Sequence, residues 1–291
     1  MSAPTPIEIR EVLPRDGFQD LDRHLPTATK IAVIRRLREA GLRWIEVTSM
    51  VSPKWVPQFA DAEEVVGAVR DLDGLKRSVF VANRRGLERA LAVGADEVSL
   101  ALASTDTLSR KNFNMDREEA LAELGAVAAT ARAAGAEVSL TIGGALGCPY
   151  EGTVAPADVA ALAARTSNID GASLFVADTI GVGTPAAIGA VVRAVREAAP
   201  GPKLGVHLHG GDASTESVLV AIGEGATVVD SALAGFGGCP FVPEAPGNVS
   251  TEAVSRALDD AGLPHAEDTA TLLEAAAEVR AMIAAVPVEA S

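Results

Sequence analysis

Leu204-Gly205-Val206-His207-Leu208-His209 follows the turn-forming Gly201-Pro202 and runs into the helical stretch Thr215–Gly223. A short apolar run closed by polar residues, then a helix, is one strand–helix unit of an α/β protein. Seven further units of the same kind surround it. Ile7–Val12 is followed by a helix over Thr27–Ala40, Trp44–Thr48 by Phe59–Leu72, and Arg77–Ala82 by Gly86–Val93. Glu97–Leu102 leads through a polar loop to Arg117–Ala134, and Glu137–Ile142 through a Gly/Pro-rich loop to Pro156–Arg165. Ala172–Ala177 precedes Pro185–Ala198, and Thr227–Ser231 leads by a long loop to Thr251–Ala261. Eight such units imply a parallel sheet closed into a TIM (β/α)8 barrel. An open doubly wound sheet would place a glycine fingerprint after the first strand, and Glu11–Phe18 has none. Residues 1–291 therefore read as one domain, a barrel over about 5–262 with an additional C-terminal helical extension over 263–291. Its helix, Ala266–Ala285, is expected to pack on the barrel's outside or on another subunit.

Composition narrows the function classes. Of 291 residues, 48% are hydrophobic, enough for a large core, and the net charge is -14. That charge argues against nucleic acid and against a membrane surface, both of which present phosphates. No apolar run is long enough to span a bilayer, and Met1–Pro6 does not read as a signal peptide. Two cysteines make no disulfide framework. The expectation is a soluble cytoplasmic protein, assembled as a homo-oligomer, dimer or higher.

His207 and His209 lie two residues apart on an extended segment, so both face one side with Cα atoms about 7 Å apart. Both imidazoles can then grip one divalent cation, although a solvated strand face would give the same pattern. The barrel rule supplies a test, since active sites form at the C-terminal ends of the strands. Arg15 and Asp16 follow the first strand, Glu46 and Thr48 close the second, and Asp178 and Thr179 close the sixth. Asn248 stands in the long loop after the eighth, beyond Cys239. These residues converge on one rim. Each also has a plainer role: Asp16-Gly17 as a turn, Arg15 with Glu46 as a structural ion pair, Asp178 as a helix cap. Cys239, within Gly235-Phe236-Gly237-Gly238-Cys239-Pro240, reads as a thiol on a mobile lid. Cys148 reads as structural, and His24 and His265 as solvent-facing. Asp16, His207, His209 and Asn248 form the expected metal shell, with Mg²⁺, Mn²⁺ and Zn²⁺ all compatible.

Longer blocks carry a resemblance. Glu11-Val12-Leu13-Pro14-Arg15-Asp16-Gly17-Phe18-Gln19 and the segment from Ile45 to Gln58 are similar to 3-hydroxy-3-methylglutaryl-CoA lyases. So are Ala145–Gly152, Asp178–Pro185, Gly237-Gly238-Cys239-Pro240 and Gly247-Asn248, in order over nearly the whole chain. The resemblance implies a TIM-barrel metallolyase acting on an acyl-CoA thioester and yielding acetyl-CoA and acetoacetate. It implies metal ligation by Asp16, His207, His209 and Asn248, catalysis by Arg15 and Cys239, and support from Glu46 and Asp178. The chemistry asks for a base, Asp16 or His207, to take the proton of a tertiary alcohol. It asks for fixed positive charge at the enolate oxygen, which Arg15 fits, and for an acid at the enolate carbon, which Cys239 fits.

The chain departs from the family pattern in places. Gly210-Gly211-Asp212-Ala213 stands where an acidic residue and Thr-Tyr-Gly are usual, Gly144 where a cysteine is common, and Leu13 where a glycine precedes the proline. These departures leave open a 3-alkyl group other than methyl. Two alternatives stand beside the lyase: an acyl-CoA/2-oxo acid condensing synthase, and a catalytically impaired metal-binding barrel.

Overall fold

The computed structural model describes residues 5–166, 173–238 and 247–288. In chain order the strands are β1 (Glu8–Glu11), β2 (Trp44–Ser49), β3 (Lys76–Phe80), β4 (Glu97–Ala103) and β5 (Glu137–Gly143). Then come β6 (Gly147–Cys148), β7 (Gly152–Thr153), β8 (Ser173–Asp178), β9 (Leu204–Leu208) and β10 (Val228–Ser231). All but β6 and β7 close into a barrel in the order β1-β10-β9-β8-β5-β4-β3-β2, each pair parallel. This is the TIM barrel expected from the alternation of apolar runs and helices.

The helices are α1 (Thr27–Glu39), α2 (Ala62–Ala68), α3 (Arg84–Ala92), α4 (Asp106–Phe113) and α5 (Arg117–Ala133). They continue as α6 (Pro156–Thr166), α7 (Pro185–Ala198), α8 (Thr215–Gly223), α9 (Thr251–Asp260) and α10 (Thr269–Ala284). Their starts are written in the sequence. Thr184 caps α7 ahead of Pro185, Ser250 caps α9, and Asp116 with Glu119 makes a reciprocal capping box on α5. Helix α10 buries Leu272, Ala275, Ala276, Val279 and Ile283 and packs against α1 and α9, so the extension covers the barrel's own outside.

Three elements differ from expectation. The loop after β4 contains α4, with Thr105 capping its start and Asn114, in the left-handed region, closing it. Pro57–Phe59 forms a separate 3-10 turn and leaves α2 shorter than the expected helix. Hairpin β6–β7 sits in the Gly/Pro-rich loop that follows β5.

The barrel lumen is not wholly apolar. Arg10 on β1 reaches Ser139 on β5 and Glu97 on β4, and Trp44 on β2 meets Phe175 on β8 edge to face. None of these strand pairs are neighbours in the sheet, so the contacts cross the lumen. Charged side chains fully out of water persist only when paired. Glu97 is correspondingly held by Ser78, Ser139, Lys76 and Arg10.

Candidate active site

Glu11, at the end of β1, is fully buried and ties together the turns that carry the site. Its carboxylate accepts hydrogen bonds from the backbone N–H of Leu13, from that of Leu233 and from the hydroxyl of Thr251. Burial pushes its pKa up to about 7 in spite of these donors. The chain then makes a tight helical turn over Leu13–Gly17, with Pro14 at its start, which directs Arg15 and Asp16 to the barrel mouth. Leu13, the departure from the usual glycine, is buried and packs over Gly17.

Asp16, His207 and His209 meet there. One ligating atom from each falls within 4.8 Å of the others. The Nε2 atoms of the two histidines lie 3.0 Å apart, and each is 4.0 Å from Oδ2 of Asp16. Asn248 joins them: its amide nitrogen donates to Asp16 Oδ2 at 2.7 Å and to the Phe236 carbonyl at 3.0 Å. Burial alone would raise the Asp16 carboxyl. The Arg15 guanidinium, the two imidazoles and the Asn248 amide outweigh it and hold the pKa at about 2. Asp16 therefore rests as an anion among nitrogen donors.

This donor set suits a divalent cation. Two observations support the fit. Oδ1 of Asn248 is buried and has no hydrogen-bond partner among the described residues, as a carbonyl ligand reserved for a cation would be. Gly237, at φ +109°, lies so close that a Cβ there would fall 2.3 Å from the Asn248 amide nitrogen and 3.1 Å from Asp16. Only a residue without a side chain leaves that space open.

Arg15 closes the opposite side. It donates to Asp16 Oδ1 at 2.6 Å, pairs with Glu46 Oε2 at 2.8 Å, and lies with its guanidinium carbon 4.6 Å over the Phe80 ring. Asp178 is differently engaged. Its carboxylate accepts the N–H groups of Val182 and Gly183 and so ties down the loop after β8. Burial outweighs those amides and raises its pKa. Thr179 Oγ1 accepts the N–H of Gly144. Cys239 lies outside the described residues.

Backbone contacts account for the unusual Gly210-Gly211. Both N–H groups donate to the Gly247 carbonyl, at 3.0 and 2.9 Å, which sets Asn248 beside His209. Gly210 has φ +142°, and a Cβ there would lie 2.3 Å from Ser214 Oγ, so the usual acidic residue would need a different local chain path.

Other expectations resolve more simply. Cys148 is buried with its sulfur 3.1 Å from Thr105 Oγ1. His265, expected to face solvent, is instead clamped by Asp259 at 3.1 Å and Glu267 at 3.4 Å, with its side chain 4% exposed. The path of the loop between α9 and α10 brings two carboxylates against it, which local sequence does not reveal. Asp230, outside every motif above, places its Oδ2 3.1 Å from Nδ1 of His207. The available signal was a lone acid in Val228-Val229-Asp230-Ser231, an otherwise apolar strand.

The HMGL-like family profile matches residues 6–279. The chain belongs to this family. Among curated HMGL-like relatives it is similar to the mitochondrial hydroxymethylglutaryl-CoA lyase of Rattus norvegicus, at 42% identity over 94% of this chain and 84% of that one. The cytoplasmic 3-hydroxy-3-methylglutaryl-CoA lyase of the same organism is 39% identical over 94% and 80%. Among solved structures, the HMG-CoA lyase from Brucella melitensis superposes with a TM-score of 0.91 at 37% identity, covering 96% of this chain and 99% of that one. An HMG-CoA lyase crystallised with coenzyme A and 3-methylmalate gives 0.90 at 29% identity, over 99% and 95%.

Proposed function

We propose that this HMGL-like chain is a metal-dependent carbon–carbon lyase that cleaves 3-hydroxy-3-methylglutaryl-CoA to acetyl-CoA and acetoacetate. The observation that carries it is the meeting of Asp16, His207 and His209 within 4.8 Å, beside Arg15, in a chain 42% identical to a hydroxymethylglutaryl-CoA lyase. A related 3-hydroxy-3-alkyl acyl-CoA fits the same machinery, and the Gly210-Gly211 path is the feature that supports such a variation.

Asp16, His207, His209 and Asn248 would hold the cation, Mg²⁺ or Mn²⁺ in preference to Zn²⁺ given the two oxygen donors. When bound, a divalent cation there supplies Lewis acidity to oxygen atoms of the substrate. The protein's own groups do the rest. Asp16 takes the proton of the tertiary hydroxyl as the bond between C2 and C3 breaks; His207, the other candidate base, has Nδ1 engaged by Asp230 and Nε2 turned to the cation site. C3 becomes the ketone of acetoacetate, and the electron pair of the broken bond enters the thioester enolate. Arg15 faces that developing charge as a guanidinium fixed by Glu46 and Asp16, so little reorganisation is needed. The enolate carbon is then protonated, the role we assign to Cys239. Asp178 supports the site by holding its loop in shape.

Purified protein assayed with 3-hydroxy-3-methylglutaryl-CoA and Mg²⁺ or Mn²⁺, with products followed by mass spectrometry, tests this. Release of both products is expected. Release of free coenzyme A from acetyl-CoA plus 2-oxo acids, without cleavage, would establish the condensing synthase instead. Cation binding without either reaction would establish an inactive barrel.

We also propose one domain over residues 1–291 and a cytoplasmic location. The two cysteines support a reducing compartment, and cell fractionation tests it. No helix among the described residues is long and apolar enough to cross a membrane. We further propose a homo-oligomer, dimer or higher, which analytical ultracentrifugation tests.

A further inference from the structure

Three charged or polar residues on adjacent strands stand at one level of the barrel. Arg10 of β1 is in register with Asp230 of β10, and Asp230 with His207 of β9. Residues at one register of a parallel sheet project to the same side, and here that side is the lumen. All three are buried. Asp230 accepts Nε of Arg10 on Oδ1 and Nη2 on Oδ2, both at 2.7 Å, in a two-pronged pair. Oδ2 also lies 3.1 Å from Nδ1 of His207. Arg10 is itself fixed from the far side. Ser139 Oγ accepts from it at 2.8 Å, Glu97 lies 3.5 Å away, and the guanidinium carbon sits 3.9 Å over the Phe175 ring.

The donors and acceptors leave one arrangement for the neutral imidazole. A carboxylate gripped by a guanidinium can only accept hydrogen bonds. The proton between Asp230 and His207 must therefore sit on Nδ1 of the histidine. Its other nitrogen, Nε2, then carries a lone pair. Nε2 is the atom that faces His209 Nε2 at 3.0 Å and Asp16 at 4.0 Å.

We propose that Asp230, anchored by Arg10, is a positioning residue that holds His207 as the Nδ1–H tautomer and presents its Nε2 lone pair to the cation. Carboxylates behind metal-ligating histidines act in this way in general, and in this chain the device extends one residue further, to an arginine inside the barrel. The inference rests on the cation site proposed above.

Nitrogen NMR of the full chain, labelled with ¹⁵N-histidine, stripped with a chelator and held at about pH 8, where a free imidazole is neutral, reads the tautomer directly. In the wild type, His207 is expected to show a protonated Nδ1 and a bare Nε2 that shifts on Mg²⁺ addition. In Asp230→Asn the proton is expected to move partly to Nε2, and the Mn²⁺ dissociation constant by calorimetry to rise about 10- to 100-fold. Arg10→Met/Asp230→Asn removes the stranded buried cation as well and serves if the single variant does not fold; the same change is expected. A loss of packing alone would lower the melting temperature and leave the tautomer as it was. A wild type with the proton on Nε2 that still binds Mn²⁺ overturns this proposal and spares the cation site. So does a folded variant with the wild-type tautomer and affinity within about threefold of it. A wild type that binds no Mn²⁺ and whose imidazole signals do not move overturns both.

Discussion

Nε of Arg15 lies 2.8 Å from Oε2 of Glu46, and Glu46 is itself buried within β2. The guanidinium is thus pinned by a carboxylate that cannot swing away. Arg15→Gln keeps the polar body and removes the charge, so it should cost transition-state stabilisation and little ground-state binding. The expected loss is a factor of about 100 or more in kcat, equivalent to about 3 kcal/mol, with KM nearly unchanged. Steady-state kinetics decide it. A KM that rises as much as kcat falls would take Arg15 out of the enolate role and leave it as a binding residue.

A second prediction concerns the space beside Asn248. Gly237→Ala places a methyl group 2.3 Å from the amide nitrogen and 3.1 Å from Asp16, at a backbone angle that side chains rarely adopt. Asn248 or the chain at 237 must move. Mn²⁺ affinity by calorimetry is expected to fall at least about tenfold while circular dichroism stays that of a barrel. Unchanged affinity would show that Asn248 is not among the ligands.

The fold and the outline of the site were legible because strand geometry is local. His207 and His209 share a face because the strand period is two, and the barrel rule then carries Asp16 and Asn248 to the same rim. The lumen was less legible. Arg10 sits among other charged residues of β1, Glu97 opens an apolar run and Asp230 interrupts one, and only the register between strands distant in sequence makes them partners. Helix α4 escaped because Asp106–Phe113 is mostly polar on an exposed rim, so no apolar stripe announced it. The His265 clamp depends in the same way on how α9 and α10 come together.

Cation binding should also be visible as stability. A ligand that binds only the folded state at about 100 times its dissociation constant adds about 2.7 kcal/mol. For a chain of this size that is a rise of several degrees in melting temperature. Mn²⁺ added to chelator-treated wild type is expected to give this rise, and Asp16→Asn to abolish it. Asp16→Asn protein that gains as much from Mn²⁺ as the wild type does would remove Asp16 from the ligand set.

Glu11 makes the fold sensitive to pH in a direction that can be worked out. Its carboxyl is fully buried, and burial raises its pKa from 4.5 to about 7. The folded state therefore holds this proton more tightly than the unfolded chain does. The stability it contributes is complete below about pH 4.5 and is lost as the pH rises through about 7, by about 3 kcal/mol in all. Other groups titrate in the same window, so the wild type alone does not isolate the effect. Glu11→Gln does. Its carbonyl can keep the N–H groups of Leu13 and Leu233, while its amide donates to Thr251, whose hydroxyl then turns to Ser231 Oγ, 2.8 Å away. The variant thus copies the protonated acid at every pH. Urea unfolding at pH 5 and pH 8 should show the variant within about 1 kcal/mol of the wild type at the lower pH and exceeding it at the higher by about 3 kcal/mol. An equal difference between the two proteins at both values would mean that Glu11 does not change its protonation on folding.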